Sequence, residues 1–181
     1  GKGKLAADYQ KPARIFAACG GASVYRKEIL DKIGYFDENH FAYLEDVDIG
    51  YRARIYGYRN VYEPAAQVIH AGSAASGSRY NEFKTQLASA NNAYVVVKNL
   101  PLLLLFLNAP FIFLGFLVKA CFFASKKMGI LYMKGYWKGI KKGFSKEGRK
   151  HHIGFRMKHI YNYVKLEIWQ IWGIFGYLMK Y

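Results

Sequence analysis

Glu45, Asp46 and Asp48 put three carboxylates into four positions, within the run Tyr43-Leu44-Glu45-Asp46-Val47-Asp48-Ile49-Gly50-Tyr51-Arg52-Ala53-Arg54. Charges this close repel one another unless a cation or a proton compensates. Glu45 and Asp46 fall at a loop-to-helix junction, where an ionised carboxylate can point into a cleft and take a proton from an attacking hydroxyl. Asp48 reads differently: with Arg52 at i, i+4 it makes an ordinary exposed helix pair, and acidic residues in a first turn suit the helix dipole. His70 follows an apolar stretch and precedes Gly72 and Ser73. It either presents imidazole to a metal or a diphosphate, or is a hydrogen-bonded core residue. His40 reads as a turn residue, and His151, His152 and His159 as solvated or interfacial side chains of a basic tail. The sequence holds no Ser/His/Asp elbow, P-loop or dinucleotide fingerprint.

The elements that must position these groups follow from the apolar pattern. Ile15 to Cys19 reads as a strand ending at Gly20-Gly21, with Ala22 to Tyr25 resuming it and a helix over Arg26 to Lys32. The paired glycines mark either a tight turn or a backbone that approaches a ligand closely. Val47, Tyr51 and Ile55 at i, i+4, i+8 predict a helix from Glu45 or Asp46 to Tyr56, closed by Gly57 as a left-handed cap. Val61-Tyr62 and Val68-Ile69 read as short strands, Ala74 to Ser78 as a mobile loop, and Tyr80 to Lys98 as a further helix.

Asn99 to Val118 then runs twenty residues without a charged side chain, the length a membrane span requires. Pro101 and Pro110 interrupt it, so a helical hairpin or in-plane segment stands against a single spanning helix. Beyond it the chain alternates aromatic and basic residues, as in an interfacial helix. The formal charge of +15 belongs mostly to this tail: residues 1–118 carry 13 Lys and Arg against 10 Asp and Glu, whereas residues 119–181 carry 14 against 2. Such a surface suits anionic lipid, and the adjacent apolar run favours lipid over nucleic acid. Cys19 and Cys121 lie far apart with no metal-ligand spacing, and read as small core residues in a reducing compartment.

The pieces occur in a specific order. Gly20-Gly21-Ala22-Ser23, Ile33-Gly34-Tyr35-Phe36-Asp37-Glu38, Tyr43 to Asp48 with Arg52, Gly57-Tyr58, Pro64-Ala65-Ala66 and His70-Ala71-Gly72-Ser73 together resemble the C-terminal half of the family 2 glycosyltransferases. The likeness is to the bacterial rhamnosyltransferase-like enzymes of cell-wall and surface polysaccharide assembly. It covers residues 14–80 and extends loosely to Asn91-Asn92 and Lys98-Asn99-Leu100-Pro101. The resemblance implies a GT-A fold, a nucleotide-sugar donor, a saccharide or lipid-linked acceptor and an inverting displacement at the anomeric carbon. It makes Asp46 the general base and Glu45 a shaper of its surroundings. Gly20, Gly21 and Ala22 line the donor-sugar and acceptor pocket, and His70 assists a metal.

The family's nucleotide-binding strands and its Asp-x-Asp ligands for Mg²⁺ or Mn²⁺ are not found before Arg14. They are expected upstream of Gly1, and the isolated chain is expected to have little or no transferase activity. The expected fold class is α/β: the C-terminal part of a GT-A domain followed by a mainly helical membrane-associated tail. Residues 1–80 form the acceptor half, 81–98 a connecting helix, 99–125 an apolar membrane segment and 126–181 a basic aromatic-rich tail. The expected setting is the cytoplasmic face of a bacterial membrane, peripheral or integral. The competing class is a non-catalytic basic membrane-binding module whose acidic cluster is structural.

Overall fold

A computed structural model describes residues 9–69 and 80–178, with side chains as far as residue 173. His70 and the 74–78 loop lie outside the described residues. The elements in chain order are β1 (Ala13–Ile15), α1 (Lys27–Ile33), α2 (Glu45–Ile55), β2 (Asn60–Tyr62), α3 (Glu82–Asn99), α4 (Leu102–Ser125), α5 (Gly129–Phe144), α6 (Lys146–Lys150) and α7 (Ile160–Leu178). β1 and β2 pair antiparallel, with Arg14 opposite Val61, as a two-stranded sheet. Both outer edges of that sheet lack a partner strand among the described residues, which leaves a template for further strands.

The strand expected over Ile15 to Cys19 stops at Ile15 because side chains take over its backbone acceptors. Arg54 donates to the carbonyls of Ile15 and Phe16, and Asn60 Nδ2 donates to that of Phe16 at 2.6 Å. Gly20–Ala22 forms a 3-10 turn at the paired glycines, the strand expected to resume over Ala22 to Tyr25 does not form, and Val68 and Ile69 belong to no element. α2 crosses this segment closely: a side chain at Gly50 would meet the Ala17 backbone at 2.7 Å. Its end matches expectation. Gly57 takes φ 86°, its N–H reaches the Arg54 carbonyl at 2.9 Å, and the Tyr58 N–H reaches that of Ala53 at 2.9 Å, a Schellman closure.

The core lies where α2 meets its neighbours. Tyr51 and Ile55 pack with Tyr163 and Leu166 of α7, and Ile49 and Ala53 with Ile33 of α1. α3 packs most extensively on α5, through glycines at every fourth position. A methyl group at Gly135 would strike Ser89 and Gln86, at Gly139 the Ala90 carbonyl, and at Gly143 the Val97 side chain. Four-residue spacing of the smallest side chain lets the two backbones come together as only glycine allows.

α4 runs unbroken through Pro110, where two shorter helices were the alternative expectation. It is the one helix among the described residues long and apolar enough to cross a membrane, with none of its most apolar stretch buried. Other expectations fail on burial. Cys19 and Cys121 are exposed, not core, whereas His159 is buried, its ring 4.7 Å from that of Tyr56. His40 is buried against Tyr94 at 5.1 Å, in a one-turn 3-10 helix.

Candidate active site

The loop leading into α2 has an uncommon backbone. Phe41, Tyr43 and Leu44 all take positive φ, at 59°, 71° and 69°. Non-glycine residues pay of order 1 kcal/mol for such conformations and hold them only when the surroundings dictate it. Here the surroundings are Asn91 of α3, whose buried amide nitrogen donates to the carbonyls of His40, Ala42 and Tyr43 at 2.7, 2.7 and 3.0 Å. The clamp fixes where α2 begins, and therefore where Glu45 and Asp46 stand.

A buried charge network anchors the same region one helical turn further in. The Asp48 carboxylate accepts from Arg52 Nε and Nη2 at 3.1 and 2.8 Å, from Asn99 Nδ2 at 2.5 Å and from Lys98 Nζ at 2.8 Å. Lys98 also reaches Asp37 at 2.9 Å, and the Tyr94 hydroxyl donates to Asp37 at 2.7 Å. The Asp48–Arg52 pair is thus present but enclosed, correcting the expectation of an exposed one. Two carboxylates and two cations balance, which is the condition for keeping charges out of water. Burial resists ionisation of both acids, but Lys98 and Tyr94 at Asp37, and Arg52 and Lys98 at Asp48, hold them below the usual carboxylate range.

On this base Glu45, Asp46, Gly20 and Gly21 converge on one pocket of about 630 Å³. Asp46 Oδ2 accepts from the Gly20 N–H at 3.0 Å and Oδ1 from the Val47 N–H at 2.7 Å. Each oxygen retains a lone pair, so the group is oriented and still able to accept a substrate hydroxyl. A side chain at Gly20 would lie 3.3 Å from Glu45 Oε1 and 3.6 Å from Asp46 Cβ, so the glycine lets both carboxyl groups approach the turn. Ala22 belongs to that turn but does not line the pocket.

The rest of the wall was not assigned from sequence. Thr85, Ser89 and Asn92 come from α3, Lys119, Phe122 and Phe123 from α4, and Tyr132 from α5. Burial pushes the Tyr132 hydroxyl up to about 12. Lys119 is the one cation among the described lining residues, and its signal was legible as the first charge after the apolar run. Among the described residues no group of three or more His, Cys, Asp or Glu side chains is arranged to hold a metal ion.

Over part of its length the chain is similar to a glycosyltransferase. Over 58 residues, 32% of this chain, it is 38% identical to the N-acetylglucosaminyl-diphospho-decaprenol L-rhamnosyltransferase of Mycobacterium tuberculosis, in strains CDC 1551 and H37Rv alike. The matched stretch is 19% of that relative, so the chain spans about a fifth of its length. No family model and no solved structure matches the chain.

Proposed function

We propose that this chain is the acceptor-side part of a family 2, GT-A glycosyltransferase that moves a sugar from a nucleotide-sugar donor to a lipid-linked saccharide at the cytoplasmic face of a bacterial membrane. The observation that carries the reading is Asp46, oriented by the Gly20 N–H on the wall of a pocket within the common range for small-molecule sites, about 300–1,000 Å³. The Asp46 carboxylate takes the proton of an acceptor hydroxyl as its oxygen attacks the anomeric carbon. The bond from that carbon to the diphosphate breaks, the nucleoside diphosphate leaves with the electron pair, and the configuration inverts. Phe122, Phe123 and Tyr132 offer faces for a sugar ring, and Lys119 a cation for an acceptor phosphate. The partial likeness to a rhamnosyltransferase supports an acceptor of this lipid-linked kind. No cluster of three candidate ligands for Mg²⁺ or Mn²⁺ stands among the described residues, and His70 remains a candidate ligand.

The test is Asp46→Asn in the intact protein, assayed with membranes and a panel of nucleotide sugars. The amide oxygen can keep the Gly20 hydrogen bond, so folding and membrane binding are expected to persist. Transfer is expected to fall about 10²- to 10⁴-fold, mainly in kcat. Unchanged transfer would remove Asp46 from the chemistry. Absence of any transfer by the unaltered intact protein would favour the second reading, a non-catalytic membrane module, to which the exposed face of α4 points.

A further inference from the structure

We infer that α4 lies in the plane of the membrane, within one leaflet, instead of crossing the bilayer. Its 24 residues make a rod of about 36 Å. Leu104 packs on the cluster of Tyr51, Ile55, Tyr163 and Leu166, and Asn108 Nδ2 donates to Glu167 of α7 at 3.0 Å. Further along, the Phe116 ring lies 4.7 Å from Tyr136, and Phe123 lies 5.2 Å from Tyr132. Half-buried positions recur at Leu104, Asn108, Ile112, Phe116, Ala120 and Phe123, one stripe at helical spacing. The protein therefore accompanies α4 for twenty residues, a rise of about 28 Å, nearly the thickness of a hydrocarbon core.

A helix held in this way cannot cross alone. Everything packed along its stripe would have to enter hydrocarbon with it, including Glu167 beside Asn108 at the centre of the uncharged run, and the carboxylates that share a pocket with Lys119. Charges at that depth are costly, and none of these has a reason to be there. The opposite face meets the requirement of a lipid surface instead. Leu103, Phe106, Leu107, Phe111, Leu114 and Val118 are all exposed. A groove lined by Cys121, Ala124, Ile130 and Met133 continues that face onto α5, where Trp137 is exposed beside Lys134, Lys138 and Lys141. Apolar residues bordered by lysines suit a bilayer with anionic headgroups. A membrane-bound chain with no transferase activity would satisfy this geometry equally.

The experiment places a nitroxide at Leu103, Leu107, Phe111, Leu114 or Val118, one at a time, in a Cys19→Ser, Cys121→Ser background. The full chain is bound to vesicles of phosphatidylethanolamine and phosphatidylglycerol, and depth is read from collisions with oxygen against a water-soluble nickel chelate. All five labels are expected at one similar shallow depth, about 5–10 Å below the headgroups. A depth that peaks at Phe111 and returns to opposite surfaces at Leu103 and Val118 would overturn the inference, as would five water-exposed labels. The unaltered chain gives an independent check with trypsin added outside the vesicles. Cleavage at Lys27 and Lys32, before α4, and at Lys126 and Lys127, after it, is expected without detergent. Protection of one side until the vesicles are dissolved would indicate a crossing.

Discussion

His40 shows how far a single residue can be set by its surroundings. Both ring nitrogens lack a hydrogen-bond partner among the described residues, and the ring lies against Tyr94 beside an already neutral set of charges. Burial, against the opposing pull of Asp48, brings its pKa down to about 4. The unfolded chain therefore binds the proton first, between about pH 6.5 and 4. Stability is full above pH 6.5 and falls as the pH drops through that window, by on the order of 3 kcal/mol from this group. His40→Phe is expected to flatten that part of a plot of unfolding midpoint against pH. An unchanged slope would place the titration elsewhere. Asp37 and Asp48 act lower on the scale. Their depressed pKa values contribute stability that is present above the ordinary carboxylate range and lost on further acidification.

At the scale of elements, the meeting of α3 and α5 reverses a common rule. Glycine to alanine inside a helix ordinarily gains about 1 kcal/mol. At Gly139 the added methyl would fall on the Ala90 carbonyl group, with its carbon at 2.8 Å, so the backbones must separate. Gly139→Ala is therefore expected to destabilise by about 1–3 kcal/mol, read as a lower denaturation midpoint. A stabilised variant would refute the close packing. α2 was legible in sequence because it carries its own period and closing glycine: Val47, Tyr51 and Ile55, then Gly57. What could not be read were the facts that live between elements. Gly135, Gly139 and Gly143 lie in an aromatic and basic stretch, and nothing local says that Ser89 and Ala90 fill the space beside them. The strand expected at Ile15 to Cys19 failed similarly, since the side chains that capture its carbonyls come from Arg54 and Asn60. The site was partly legible: Glu45, Asp46, Gly20 and Gly21 do share a pocket, but its far wall on α4 lies some eighty residues along the chain.

For the whole molecule, the separation of charge from the apolar surface leads to a two-component prediction about lipid binding. The excess of basic residues after position 118 gives an electrostatic attraction of about 1 kcal/mol for each lysine or arginine near an anionic surface, screened by salt. The exposed face of α4 supplies a component that salt does not weaken. Sedimentation with phosphatidylglycerol vesicles is expected to weaken about tenfold or more between 0.1 and 0.5 M salt, then level off at the binding seen on neutral phosphatidylcholine. Binding that vanishes altogether at high salt would mean that α4 does not insert. The buried network bears on the molecule in another way. Asp37 and Asp48 precede residue 70, Lys98 and Asn99 follow residue 80, and both carboxylates lean on Lys98 for charge balance while Asp48 also accepts a hydrogen bond from Asn99. A chimera that takes residues before the 70–79 segment from one relative and the remainder from another must carry Asp37, Asp48, Arg52, Lys98 and Asn99 as one set. Recombination breakpoints within residues 70–79 look convenient in sequence, yet they would divide a single electrostatic unit between two parents.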